Sequence, residues 1–270
     1  MSEPDPEQPA ALSAVLLFEE SPTRDPGALL AILADDVDGV VGPAEHGDET
    51  GLVYHPGHLW EVHGVHGTAA TALVGPRPIE AARWGEFVRH SRRCQDARVR
   101  LGRCTIQLGV VEMFGRPLPP AERHELFARV VDALIGELAP SLIVSVPTQE
   151  ILDPVRLTGD STMLVANVRL LRVDGADTTV MDTVGLAALG LPDVQMVFGG
   201  LEHDHVAGYL YDVALYVYEH GDVIQDGQTI EGLEPGTAWR CGHVTSLLQP
   251  ARTVLHIDPG SPYARRRPGP

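Results

Sequence analysis

Residues 193–221 read DVQMVFGGLEHDHVAGYLYDVALYVYEHG, and this stretch changes its hydrophobic period at a glycine pair. Up to Phe198 the period is two, with Val194, Met196 and Phe198 on one face of a strand. After Gly199 and Gly200, Val206, Leu210, Val213 and Val217 recur at helical spacing, so a helix is expected to run to about Glu219. Asp204 or His203 is the expected cap, and Gly221 the left-handed exit. A strand that hands directly to an amphipathic helix requires a sheet with a helix lying on it.

Working outward, the same alternation continues. Upstream, 163–173 and 178–181 are expected as two strands reversing around Asp174 and Gly175, and Asp182 as the cap of a short helix over 184–189 that ends at Gly190 and Pro192. Downstream, Asp226-Gly227 between two short apolar pairs predicts a hairpin, and strands are expected at 239–248 and 253–257. In the first half, Ser13 to Phe18 reads as a buried strand, and Asp25-Pro26 opens a helix through Leu33. Residues 40–74 suit antiparallel strands, 79–90 a helix and 99–113 one long strand. Pro119-Pro120 starts a helix striped by Leu126, Val130, Leu134 and Leu138, stopped by Pro140, and 142–146 follows as a buried strand.

The fold class expected is therefore α+β, mainly antiparallel or mixed sheets with helices packed on them. The expected organisation is a disordered tail over 1–10, an N-terminal half over 11–147, a C-terminal half over 148–260 and a disordered basic tail over 261–270. The two halves read as similar and intimately packed, although no sequence repeat proves duplication. Arg265 to Arg267 could touch an acidic partner, but a solvated tail is the plainer reading.

Composition excludes several chemistries. All 20 Lys+Arg positions are arginine. Schiff-base lysines, pyridoxal-phosphate anchors and P-loop lysines therefore have no residue to build on. A net charge of −17 makes nucleic acid and anionic membrane poor partners. No apolar run is long enough for a membrane span and the first ten residues are acidic and proline-rich, so a cytoplasmic location is expected. Cys94, Cys104 and Cys241 lack metal-binding or disulfide spacing and read as buried reduced thiols.

Three segments carry a resemblance: MDTVGLAALGLPDVQ at 181–195, GYLYDVALY at 208–216 and EHGDVIQDGQTIEG at 219–232. Together with Asn167 and Arg169, over about 165–232, they resemble a bacterial family known as domain of unknown function 4261. The N-terminal half agrees only in its rhythm of strands and helices. The resemblance implies a bacterial protein and supplies no activity, cofactor or catalytic residue. His203-Asp204-His205 stand where the family has aspartate, proline and small polar residues, so a metal site built there would not be a family property.

Candidate ligand-binding residues are Asn167, Arg169, Asp182, Asp193 and Gln195, with Thr183 beside them. Asn167 and Arg169 lie two apart on one strand face, and an arginine with two carboxylates could bind a polar ligand. The competing reading has the same residues fixing how strands meet helices. His55, His58, His63 and His66 invite a zinc proposal, with His63 and His66 the weak metal alternative. In an extended chain residues three apart face opposite ways, so exposed histidines are the simpler reading. Tyr209, Tyr211, Tyr216 and Tyr218 flank the helix's aliphatic stripe and could cover a partner surface, or border the core.

No nucleophile elbow, dinucleotide loop or cysteine–histidine pairing is present. The function expected is that of a non-enzymatic regulator or immunity-type protein binding a partner with a basic surface, with no catalytic residues and no cofactor. The alternative is an enzyme or small-ligand binder using a pocket around Asn167, Arg169, Asp182 and Asp193.

Overall fold

A computed structural model describes residues 11–22, 26–42, 50–172 and 177–267 of the 270-residue chain. The expected tail over 1–10, the Asp25 cap and the Asp174-Gly175 reversal lie outside the described residues. Two compact units divide between Leu164 and Val165. The class is α+β, as the alternation of periods requires. Among the described residues no helix is long and apolar enough to cross a membrane.

The first unit contains β1 (Ser13–Phe18), α1 (Pro26–Asp36), β2 (Val40–Val41), β3 (Thr50–Val62) and β4 (Val65–Pro78). It continues with α2 (Ala81–Gly85), α3 (Ala97–Leu101), β5 (Ile106–Met113), α4 (Pro120–Leu138), β6 (Leu142–Ser145), β7 (Glu150–Leu152) and α5 (Pro154–Gly159). Its sheet has the order β2-β3-β4-β5-β1-β6-β7 and every pairing is antiparallel. The apolar run of β1 is buried because β5 and β6 flank it. The β6–β7 hairpin spans the 147/148 position at which the sequence reading divides the chain, so it lies wholly within this unit.

Two expectations in this unit need correction. The long strand over 99–113 begins only at Ile106, because Ala97 and Leu101, four apart, bury together on a helical turn. The helix over 79–90 breaks after Gly85 into α2 and a separate 3₁₀ turn, Phe87–His90. Helix α4 forms where expected and ends at Ala139 in the left-handed region, before Pro140.

The second unit holds β8 (Asn167–Arg172), β9 (Thr179–Val184), β10 (Asp193–Phe198), α6 (His203–His220), β11 (Thr229–Glu231), β12 (Ala238–Thr245) and β13 (Thr253–Asp258). The sheet order is β11-β12-β13-β10-β9-β8, with β10 and β13 parallel and the other pairs antiparallel. The two sheets thus differ in order and in pairing direction, and the expected similarity of the halves has no support in their topology. Met181, Val194, Met196 and Phe198 form one face of this sheet, against which α6 lays Val206, Leu210, Ala214 and Val217. Ala214 completes the stripe in place of the expected Val213, which is half-buried on the helix flank.

Helix α6 has Glu202 at its N-cap without a side-chain bond, so neither His203 nor Asp204 is the cap. Asp204 lies in the first turn, where its charge favours the helix dipole. Around Asp226-Gly227 the turn exists, with Gly227 at φ 83, but Val223 and Ile224 form no strand. Ile224 is buried in the α6 core, and the amides around it bond locally, Val223 N to Gly221 O at 2.9 Å and Gln225 N to Gln228 Oε1 at 2.8 Å, in place of a ladder. The backbone reaches β12 at Gly227, whose N donates to Cys241 O at 2.8 Å. Residues 261–267, expected as part of a tail, return to the sheet: Ala264 bridges Phe198, and Arg265 Nη2 donates to Asp177 Oδ2 at 2.9 Å.

Leu210→Ala is expected to destabilise this unit by about 2–5 kcal/mol, and Val213→Ala by well under half of that, in urea unfolding followed by Trp239 fluorescence. Equal costs would contradict the assignment of the helix face.

Candidate functional site

The residues nominated from sequence come together in the second unit. Antiparallel register sets Arg169 opposite Asp182, Asp182 opposite Gln195 and Asn167 opposite Val184. Alternation along each strand then puts Asn167, Arg169, Asp182, Asp193 and Gln195 on the sheet face away from α6. Asp182, Asp193 and Gln195 are fully buried, and Asn167 is 4% exposed.

Arg169 grips Asp182 with two parallel bonds, Nε to Oδ1 at 3.0 Å and Nη2 to Oδ2 at 2.6 Å, while Nη1 donates to Gln249 O at 2.8 Å. A second guanidinium, Arg252, completes the set. Its Nε donates to Asp193 Oδ2 at 2.7 Å, and its Nη2 to Asp182 Oδ2 at 2.7 Å and Thr183 O at 2.6 Å. Its Nη1 binds Pro250 O at 2.9 Å. The remaining oxygen of Asp193, Oδ1, accepts from Leu186 N at 3.1 Å and Thr183 Oγ1 at 3.2 Å. Gln195 Oε1 accepts from Leu247 N at 2.8 Å, and its Nε2 has no partner among the described residues.

Asp182 is therefore not a helix cap; it is a strand residue whose carboxylate is shared by two arginines. The 3₁₀ turn Leu186–Leu189 takes its side-chain acceptor from Asp193 instead. Two guanidiniums and two carboxylates balance in charge, and all four carboxylate oxygens accept hydrogen bonds. Burial pushes the Asp193 carboxyl up, with Arg252 pulling it back; for Arg252 burial is outweighed by Asp193 and Asp182, which raise its pKa. Such a cluster ties β8, β9 and β10 to loop 246–252, its charged groups bonded to one another and to the loop's carbonyls. Arg252 had no local sequence signal, being a lone loop arginine. The only hint was arithmetic, since two buried carboxylates need more than Arg169.

The histidines separate. His55 is fully buried, with Nε2 2.9 Å from Thr71 Oγ1, and its pKa is pushed down to about 4 by burial, with His58 and Arg129 adding to the effect. His58 Nδ1 lies 2.7 Å from Glu122 Oε1. His63 and Gly64 form the β3–β4 turn at φ 50 and 77, and His66 stands opposite Glu61, both largely exposed. Among the described residues no group of three or more His, Cys, Asp or Glu side chains is placed to hold a metal ion. His203 reaches Thr179 Oγ1 at 3.2 Å and packs edge-on against Phe198.

Among the described residues, two grooves open along α6. A groove of about 1020 Å³ runs between Tyr209, Asp212, Val213 and Tyr216 of the helix and the segment 223–232. A second, of about 750 Å³, shares Tyr209, Asp212 and Gly232 and continues past Asp204 and Glu234. Tyr209 donates to Glu231 O at 2.6 Å and meets Trp239 edge-on, whereas Tyr216 is 45% exposed and stacked on His220. Tyr211 and Tyr218 are half-buried against the core. Sequence had nominated the tyrosines; the groove floor depends on how 223–232 returns, which no local pattern announces.

The second unit is thus defined as a mixed six-stranded sheet carrying one helix, with a buried ionic lock on one face and an open groove beside the helix on the other. Residues 182–258, from Asp182 in β9 to Asp258 at the end of β13, match the model of a family described as Domain of unknown function (DUF4261). Both carboxylates and Arg252 fall inside the match, while Arg169 and Asn167 precede it. Neither the curated proteins nor the solved structures contain a match to the chain.

Arg252→Ala is expected to cost about 3–5 kcal/mol at neutral pH, because it strands Asp193 as a buried unpaired charge. The cost should shrink on acidification: a carboxyl with a raised folded pKa takes up its proton first in the folded state, so stability recovers as pH falls. Denaturant titrations at neutral and acid pH measure both.

Proposed function

We propose that this protein acts by binding another protein, as a regulator or immunity-type partner, and that the groove along α6 receives a basic segment of that partner. The observation that carries this reading is the groove's lining. Tyr209, Tyr216, Val213 and Ile230 offer aromatic and aliphatic contact, and Asp212 and Glu231 rim it with exposed carboxylates. Tyrosine supplies large contact area with few torsions to fix. Acidic groups along the walls select a basic occupant and raise its encounter rate, most strongly at low salt. The net charge of −17 acts in the same direction.

The alternative, a small-ligand or catalytic pocket around Asn167, Arg169, Asp182 and Asp193, would need polar groups turned toward open space. The charged residues there are turned toward one another instead, so the groove is the better candidate.

A short fluorescent peptide alternating arginine with leucine tests the reading by anisotropy. Binding is expected to weaken strongly between about 50 and about 300 mM salt. The pair Asp212→Arg and Glu231→Arg should weaken it by about tenfold or more, and Asp132→Arg on the first unit should leave it unchanged. No binding, or equal losses from both sets of variants, would remove the groove as the binding surface.

A further inference from the structure

Segment 221–228 leads from α6 into β11 and supplies part of the groove wall. Its end is tied to β12 by the backbone bonds Gly227 N to Cys241 O and Cys241 N to Gln228 O, both 2.8 Å, and its stretch 222–226 by the side chain and amide of His243. His243 Nε2 lies 2.9 Å from Asp222 Oδ1, and its Nδ1 lies 2.8 Å from Asp226 Oδ1. Asp226 Oδ1 also accepts from the His243 backbone N at 2.7 Å. Carboxylate oxygens only accept, and a neutral imidazole carries one N–H. In the neutral ring one nitrogen would turn a lone pair toward a carboxylate; the imidazolium donates to both.

We propose that protonated His243 latches segment 221–228 against β12, holding the groove wall in place, and that capture of a basic segment is thereby proton-dependent. The second part rests on the groove being the binding surface; the latch itself does not.

The surroundings leave the two aspartates as the groups that govern the ring. Arg240, on the same strand, lies against Gly227, and His220 at the end of α6 turns back onto Tyr216 O at 3.0 Å. Opposite His243 on β13 is the apolar Leu255, and Cys241, two residues earlier on β12, is a buried thiol pushed up to about 11 by burial. Burial of the ring works against its charge but is outweighed by Asp226 and Asp222, which hold His243 above its ordinary 6.5. Asp226 is correspondingly held below the usual carboxylate range, by the His243 backbone N–H and then its ring. The latch is therefore fully present below 6.5 and is lost as pH rises through the higher folded value. Val223 and Ile224, which line the groove, lie between the two aspartates, so release of the latch loosens that wall.

The experiment uses the full chain and two readouts. NMR titration of the His243 ring should give a pKa above the ordinary value, returning toward it in Asp222→Asn with Asp226→Asn. Amide protection of His243 and of segment 221–228 should fall by about tenfold from about pH 5.5 to about pH 8.5, and stay level in His243→Gln. The arginine–leucine peptide should bind more tightly at the acid end in the wild type and show no such change in His243→Gln. A ring titrating at or below its ordinary value, or protection that ignores pH, overturns the latch. A responsive latch with pH-independent peptide binding overturns its control of capture. A responsive latch with no peptide binding at any pH keeps the latch and removes the groove reading.

Discussion

Two aspartates buried in neighbouring strands of one sheet are tolerable only if cations enter the same space, and this requirement organises the second unit. Asp182 and Asp193 would each cost several kcal/mol as isolated buried charges. Arg169 answers from β8, and Arg252 answers from the end of loop 246–252, so the loop that closes β12 onto β13 is fixed by the same bonds that hold β8, β9 and β10 together. Geometry is specified more than stability is gained, since paired buried ions roughly break even against well-packed apolar groups.

That division of labour leaves the other sheet face to hydrophobic packing. Strand β10 alternates Asp193 and Gln195 with Val194, Met196 and Phe198, so one six-residue strand serves both the ionic lock and the α6 core. Helix α6 is divided in the same way. Its Val206–Leu210–Ala214–Val217 stripe is buried, while Tyr209, Asp212, Val213 and Tyr216 face the groove. A helix anchored by one flank presents the other without further ordering cost, the preorganisation that a binding surface needs.

Legibility in the sequence followed the range of the forces. Strand β10, helices α4 and α6 and strand β1 could be read because their periodicity is local and strong. Helix α3 was hidden because Val99 and Leu101 in VRLGRC, 99–104, alternate with arginine as in a strand, and only the burial pattern over Ala97 and Leu101 shows a helical turn. Asp182 looked like a cap because a short helix follows it, yet the two arginines that claim it come from positions 13 residues upstream and 70 downstream in the chain. The register that gathers Asn167, Arg169, Asp182, Asp193 and Gln195 was implicit in strand alternation. Arg252 and His243 were not, since each acts across a loop closure that no window of sequence contains.

The central claim is that the ionic cluster is an internal lock with recognition left to the α6 face. Arginine-specific modification by phenylglyoxal, mapped residue by residue, tests it most directly. Arg169 and Arg252, each with a side chain 7% exposed, should react only as fast as the unit unfolds, while surface arginines react freely. Rapid modification of either residue in the folded protein, or its protection by a small anionic ligand, would show an accessible binding site and contradict the claim.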